Sequence, residues 1–260
     1  MPRPQMRIEG SCAKINEQWR VMSEGGKMAK NPARYENAVA ASLGVLEKAI
    51  AIQAPLTAAH IDRIRRKRPD ASPQEIVHRL NAEFRSATIL AGAGVGAAAA
   101  APGVGTSAAL LLSGAEGLAF INATVLYILA RGDIQGIAID DVERRRMLIL
   151  AVMLGDAGAI GVSKVAERTG QHWAKQVVTA IPYEKVLAIN KFLGKNFVTK
   201  YGTKQGIVVL GRVIPFGIGA VIGGTANGLF SQGIISASDR AFGPPERSWT
   251  SASIDQSDNA

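Results

Sequence analysis

The chain is short of cysteine. Cys12 stands alone among 260 residues, so no intramolecular disulfide can form. That count fits a reducing compartment. Aromatic residues make up only 5%, which leaves much of the packing to small side chains. No HExxH, no CxxC and no clustered carboxylate set is present, so no motif specifies a metal. The run Gly92, Gly94, Gly96 lacks the Gly-Lys-Ser/Thr ending of a phosphate loop. The first thirty residues hold Arg3, Arg7, Lys14, Arg20, Lys27 and Lys30 but no apolar core of the kind a secretory signal needs. The expectation is a protein that is not exported, with no catalytic, cofactor or metal residue to name.

Glycine and positive charge are what the chain has in plenty. There are 28 glycines, several inside apolar stretches. Glycine in a helix costs about 1 kcal/mol against alanine, so such positions suggest backbones that approach closely. The net charge is +9 and uneven. Residues 1–85 contribute +6 and residues 164–212 contribute +7, and the two blocks flank apolar regions. That layout suits an anionic membrane surface or nucleic acid.

Residues 1–33 read as a loose polar arm, 34–245 as a single helical domain and 246–260 as a disordered polar tail. Val39, Leu43, Leu46 and Ile50 recur at helical spacing and predict an amphipathic helix ended by Pro55. A basic run follows: Arg63, Arg65, Arg66, Lys67 and Arg68. Ser72, Pro73 and Glu75 then carry a helix start, with a capping hydroxyl, a proline suited to the first turn and a carboxylate that can reach back. This helix leads into Ser86–Ala115, thirty residues without a charge, broken by Pro102-Gly103. About fifteen residues precede the break, a rise of roughly 22 Å, against about 30 Å for a hydrocarbon core. The next run, Val104 to Ala130, is long enough to span but contains Glu116, whose burial would cost about 3 kcal/mol. Two antiparallel helices joined at Pro102 fit better than one straight span.

Arg131-Gly132-Asp133 reads as the close of that pair. Asp140, three residues before Glu143, predicts a capped helix through Arg144, Arg145 and Arg146 into an apolar run interrupted by Asp156. Residues 164–180 place Lys164, Arg168 and Lys175 on one helical face. Pro182 opens another helix, where Lys185, Lys191 and Lys195 alternate with Val186, Ile189, Leu193 and Phe197. Residues 213–238 are again uncharged, with Gly219, Gly223, Gly224 and Gly228 at four-residue spacings that let a second helix dock closely.

Several of these pieces, in order, resemble the EcsC family of bacterial proteins. They are SPQEIVHRL before a Gly/Ala-rich stretch, Gly136 with Asp140, Glu143 and Arg144, then Gly155 and Ile181-Pro182. Lys200-Tyr201-Gly202, Ile214-Pro215-Phe216-Gly217, Gly219-Ala220, Gly223-Gly224, Asn227 and Ala241-Phe242-Gly243 follow. The similarity runs from about residue 40 to 245. The resemblance implies an all-helical protein without an assigned active site. Through the family's association with an ABC-type exporter, it also implies an accessory role in membrane transport or envelope processes.

The expected fold is all-α, a Gly/Ala-rich helical bundle with close-packed apolar hairpins. The expected partner is anionic membrane lipid on the cytoplasmic side of the cell membrane, met peripherally or by partial insertion. Arg63, Arg65, Arg66, Lys67, Arg68, Lys164, Arg168, Lys175, Lys185, Lys191 and Lys195 are the candidate lipid-facing set. Glu116, Asp156 and Asn227 are the candidate buried polar residues. A membrane protein partner and homo-oligomerisation through the glycine strip are compatible with this reading. Nucleic acid is disfavoured, because the basic run has no interleaved aromatics and no DNA-binding motif around it. A soluble all-α domain holding a lipid or other apolar ligand in its core is the reading left open beside it.

Overall fold

The computed structural model describes residues 32–100, 106–137, 139, 141–166, 172–197 and 218–249. The chain divides into two compact units, Met1–Ala40 and Ala41–Ala260. The described part of the first, from Pro32, is helical, and the contacts that follow lie within the second. The protein is all-α: the described residues form eight helices and no strand. They are α1 (Pro32–Lys67), α2 (Pro73–Ala100), α3 (Thr106–Ile134), α4 (Val142–Leu154), α5 (Asp156–Ala166), α6 (Trp173–Ala180), α7 (Tyr183–Phe197) and α8 (Ile218–Phe242).

The core is built round α4, whose residues Met147 to Leu154 are all buried. A helix apolar on every side must be enclosed rather than laid on a surface. Here α3, α5, α6, α7 and α8 all touch it. α7 presents Val186, Ile189, Leu193 and Phe197 inward at the predicted spacing. α2 packs most extensively against α8 and next against α3. Phe84 stacks on Tyr127 at 4.6 Å and meets Phe120 at 6.5 Å, and Phe120 meets Phe230 at 6.2 Å. The order of partners shows that α2 runs antiparallel to both neighbours: Asn81 bonds Tyr127, Thr88 bonds Asn227 and Arg85 bonds Gln232.

Local chemistry sets the helix ends. Ser72 and Glu75 form the expected reciprocal cap: the Ser72 N–H and hydroxyl both donate to the Glu75 carboxylate, and the Glu75 N–H donates to the hydroxyl. Those bonds hold the Glu75 carboxyl below the usual carboxylate range. α4 is capped by Asp141, one residue later than the expected Asp140; its Oδ1 accepts from the Arg144 N–H at 2.8 Å.

Three expectations are corrected. α1 does not stop at Pro55 but runs through it to Lys67. Ala51 and Pro55 are both exposed, so the carbonyl that proline deprives of a donor can be met by water. The run from Arg144 into Gly161 is two helices, because Gly155 has φ +65 and ends α4 by bonding Val152. Residues 164–180 are likewise not one helix. α5 closes at Ala166, α6 opens at Trp173, and His172 before it is left-handed.

Ordered contacts also run past Pro245. The Trp249 indole N–H donates to the Ala71 carbonyl at 3.0 Å, and the Arg65 guanidinium lies 4.5 Å over the Trp249 ring. The last described turn of chain is thereby fastened over the α1–α2 junction.

Candidate membrane-facing surface

The structure separates the basic residues that the sequence set together. Arg63 to Arg68 lie at the C-terminal end of α1 and just beyond it, mostly exposed, with Arg65 occupied by Trp249. This end adjoins the start of α2, at Pro73. The uncharged part of α2, from Ser86 onward, lies toward its other end. The basic run at the end of α1 therefore adjoins the start of α2, and the uncharged stretch occupies the other end of α2.

The lysines of α7 are placed differently. Its outward face carries Leu187, Lys191, Phe192 and Lys195, all exposed. Leu187 and Phe192 are 43% and 46% exposed, which is unusual for side chains of that size in a packed helix. Phe192 lies over α5, since a Cβ on Gly161 would come within 2.8 Å of its ring. The exposed Ile160 precedes that glycine. Lys191 and Lys195 thus share this face with Leu187, Phe192 and the exposed carboxylate of Glu184. Lys185 is half-buried and Lys175 is exposed on α6, while the side chains of Lys164 and Arg168 lie outside the described residues.

The three candidate buried polar residues diverge. Asn227 is buried and donates to the Thr88 carbonyl at 2.9 Å, tying α8 to α2. Asp156 is not buried: its side chain is 82% exposed and pairs with Arg240 at 3.1 Å. It is the first residue of α5, where the helix dipole favours a carboxylate. Glu116 lies within α3, with its side chain outside the described residues. Of the glycine strip, Gly228 faces α2, and a Cβ there would sit 3.4 Å from Ile89.

Sequence reasoning missed the most buried charge. Arg131, expected to close a helix pair from a loop, is still within α3 and is fully buried. Its Nη2 bonds Asp239 at 2.9 Å and the Gly243 carbonyl at 3.4 Å, while Gln135 donates to the same carbonyl. Arg131 thereby fastens the end of α8 to the end of α3. Its Nε and Nη1 find no partner among the described residues. Nearby, burial pushes the Tyr127 hydroxyl well above its ordinary value. Burial and the charge of Asp62 together raise the Asp133 carboxyl. The only signal in the sequence was a charged pair at the end of an apolar run.

One helical segment among the described residues, Gly117–Ile134, has the length and composition to cross a membrane. It includes Arg131, and 56% of it is buried inside the protein. Among the described residues no three His, Cys, Asp or Glu side chains gather as a metal site. Compared with family models, curated proteins and solved structures, the chain has no match.

Proposed function

We propose that the chain is an EcsC-like protein that attaches to an anionic membrane surface, on the cytoplasmic side, in an accessory role. The observation that carries the reading is the outward face of α7. Leu187 and Phe192 are exposed there on either side of Lys191 and Lys195. Apolar side chains that enter the headgroup boundary, flanked by lysines that stay with the phosphates, are the pattern of a helix lying in a membrane interface. The ordered EcsC-like motifs point the same way. The reading does not use α3 as a span, because Arg131 is engaged in a buried contact with α8.

Each lysine near an anionic surface contributes about 1 kcal/mol. Lys191→Gln with Lys195→Gln should therefore weaken binding by about 2 kcal/mol, or roughly 30-fold. The assay is co-sedimentation of the purified chain with vesicles of phosphatidylcholine, alone and with phosphatidylglycerol added. Binding should need the anionic lipid and should fall as salt rises. Replacing Arg66, Lys67 and Arg68 by Gln should change it far less. Equal binding to neutral vesicles, or no effect of the α7 pair, would overturn the reading.

A further inference from the structure

The middle turns of α1 carry a stripe of exposed apolar side chains. From Ala49 to Ile61 the helix has no Asp, Glu, Lys or Arg, and Ile52, Pro55, Leu56 and Ala59 are all exposed. Ile52 and Leu56 are 55% and 50% exposed, and large apolar side chains grouped at a surface mark an interaction site. At about 100° per residue, the four lie within a sector about 100° wide. Lys48, Arg63 and Arg66 fall in the same sector and are exposed too. Lys48 precedes the apolar turns and the two arginines follow them. The acidic residues nearest to the stripe lie off it. Glu47 pairs with Arg146 of α4 at 3.1 Å, and Asp62 is half-buried at the edge. On the flank toward α3, Gln53 bonds Asn122 at 3.1 Å, and the exposed Leu118 stands one turn before Asn122 on the same face of that helix. The face is therefore an apolar centre between two positive ends.

We propose that this face of α1 is the docking site for an acidic amphipathic helix of a partner protein. Other occupants fit the charges or the geometry less well. If a second copy laid its own α1 here, in either direction, positive ends would meet positive ends. The membrane surface that meets α7 does not reach the stripe. A Cβ on Gly194 of α7 would lie 3.1 Å from the Leu43 side chain, and Leu43 is about half a turn round α1 from the centre of the stripe. Nucleic acid would gain nothing from Ile52 and Leu56. A helix with apolar residues on one face and carboxylates at both ends matches the apolar centre and the positive ends together. Lys48 and Arg63 are fifteen residues apart, about 22 Å of helix. An occupant of about four turns thus sets a carboxylate against each end.

The probe that tests the proposal is a fluorescein-labelled helical peptide of about 18 residues with leucines along one face. It is made in two forms, with glutamates or with lysines at both ends, and each is titrated with the full chain by fluorescence anisotropy. The glutamate form should bind at least tenfold tighter, because two or three rim pairs, each about twofold to fivefold, change from repulsion to attraction. Lys48→Glu with Arg63→Glu and Arg66→Glu should reverse that order. Leu56→Asp, at an exposed position, should keep its circular dichroism spectrum and weaken the glutamate form about tenfold. Lys191→Gln with Lys195→Gln should leave peptide binding unchanged. Leu56→Asp should leave binding to phosphatidylcholine–phosphatidylglycerol vesicles unchanged, so the two surfaces stand or fall separately. Equal affinity for the two peptides, or no binding of either, would overturn the proposal. Loss of vesicle binding in Leu56→Asp would give the stripe to lipid and overturn it as well. A dimer seen in sedimentation and abolished by Leu56→Asp would give the stripe to a second copy, with the same consequence.

Discussion

The approach of α5 to α4 makes a sharp prediction at Gly158. A Cβ built there would lie 2.7 Å from the Cα and carbonyl carbon of Ala151, and closer still to its oxygen. These are backbone atoms in the buried part of α4, so no side chain can swing aside. Restoring ordinary contact requires a backbone shift of about 1 Å, and overpacking of this kind costs about 3 kcal/mol at the upper end of its range. Alanine recovers about 1 kcal/mol of helix propensity. The expected net loss for Gly158→Ala is therefore about 2 kcal/mol. In a domain of this size each kcal/mol moves the midpoint by about 2–4 °C, so Tm should fall by about 4–8 °C. Gly233 provides the contrast: it is exposed within α8, and a Cβ there meets nothing within 4 Å. Gly233→Ala should raise Tm by about 2–4 °C on propensity alone. Thermal unfolding followed by circular dichroism reads both. If the two substitutions shifted Tm in the same upward direction, the close packing of α4 and α5 would be refuted.

Two further outcomes follow from the helix ends. Asp141→Ala removes the acceptor for the Arg144 N–H at the start of the core helix and should cost about 1 kcal/mol, or about 2–4 °C in Tm. The Asp133 carboxyl is raised by burial and by Asp62. Its ionisation therefore opposes folding: the penalty is absent below the ordinary carboxylate value and sets in as pH rises through it to the folded value. Asp133→Asn should raise Tm at neutral pH, and the gain should shrink to nothing in a series of melts taken toward pH 3.

Much of the helical layout was legible because its causes are local. The Ser72–Glu75 cap and the 183–197 helix with Val186, Ile189, Leu193 and Phe197 inward need only nearest neighbours and periodicity, while the expected break at Pro102 lies outside the described residues. Pro55 misled because proline weakens a helix without forbidding it where the freed carbonyl is exposed. Gly155 misled because an apolar run does not reveal which glycine adopts positive φ. The basic residues of the chain could be found by reading, but not which of them share a side. That depends on helix direction, and it puts Arg63–Arg68 beside the start of α2 and the uncharged stretch at its other end.

What the residues determined by themselves was helix content and the two signals for a surface, charge in blocks and long uncharged runs. These are properties of short segments, fixed by backbone propensity and side-chain chemistry. The tertiary structure decided which segments act together. It joined α8 to α2, left Leu187 and Phe192 exposed beside lysines, and took Arg131 fully inside. Each of these follows from contacts between residues far apart in the chain, such as Thr88 with Asn227 and Arg131 with Asp239. Such contacts form because the buried faces of separate helices must find one another, and no local spacing encodes that pairing.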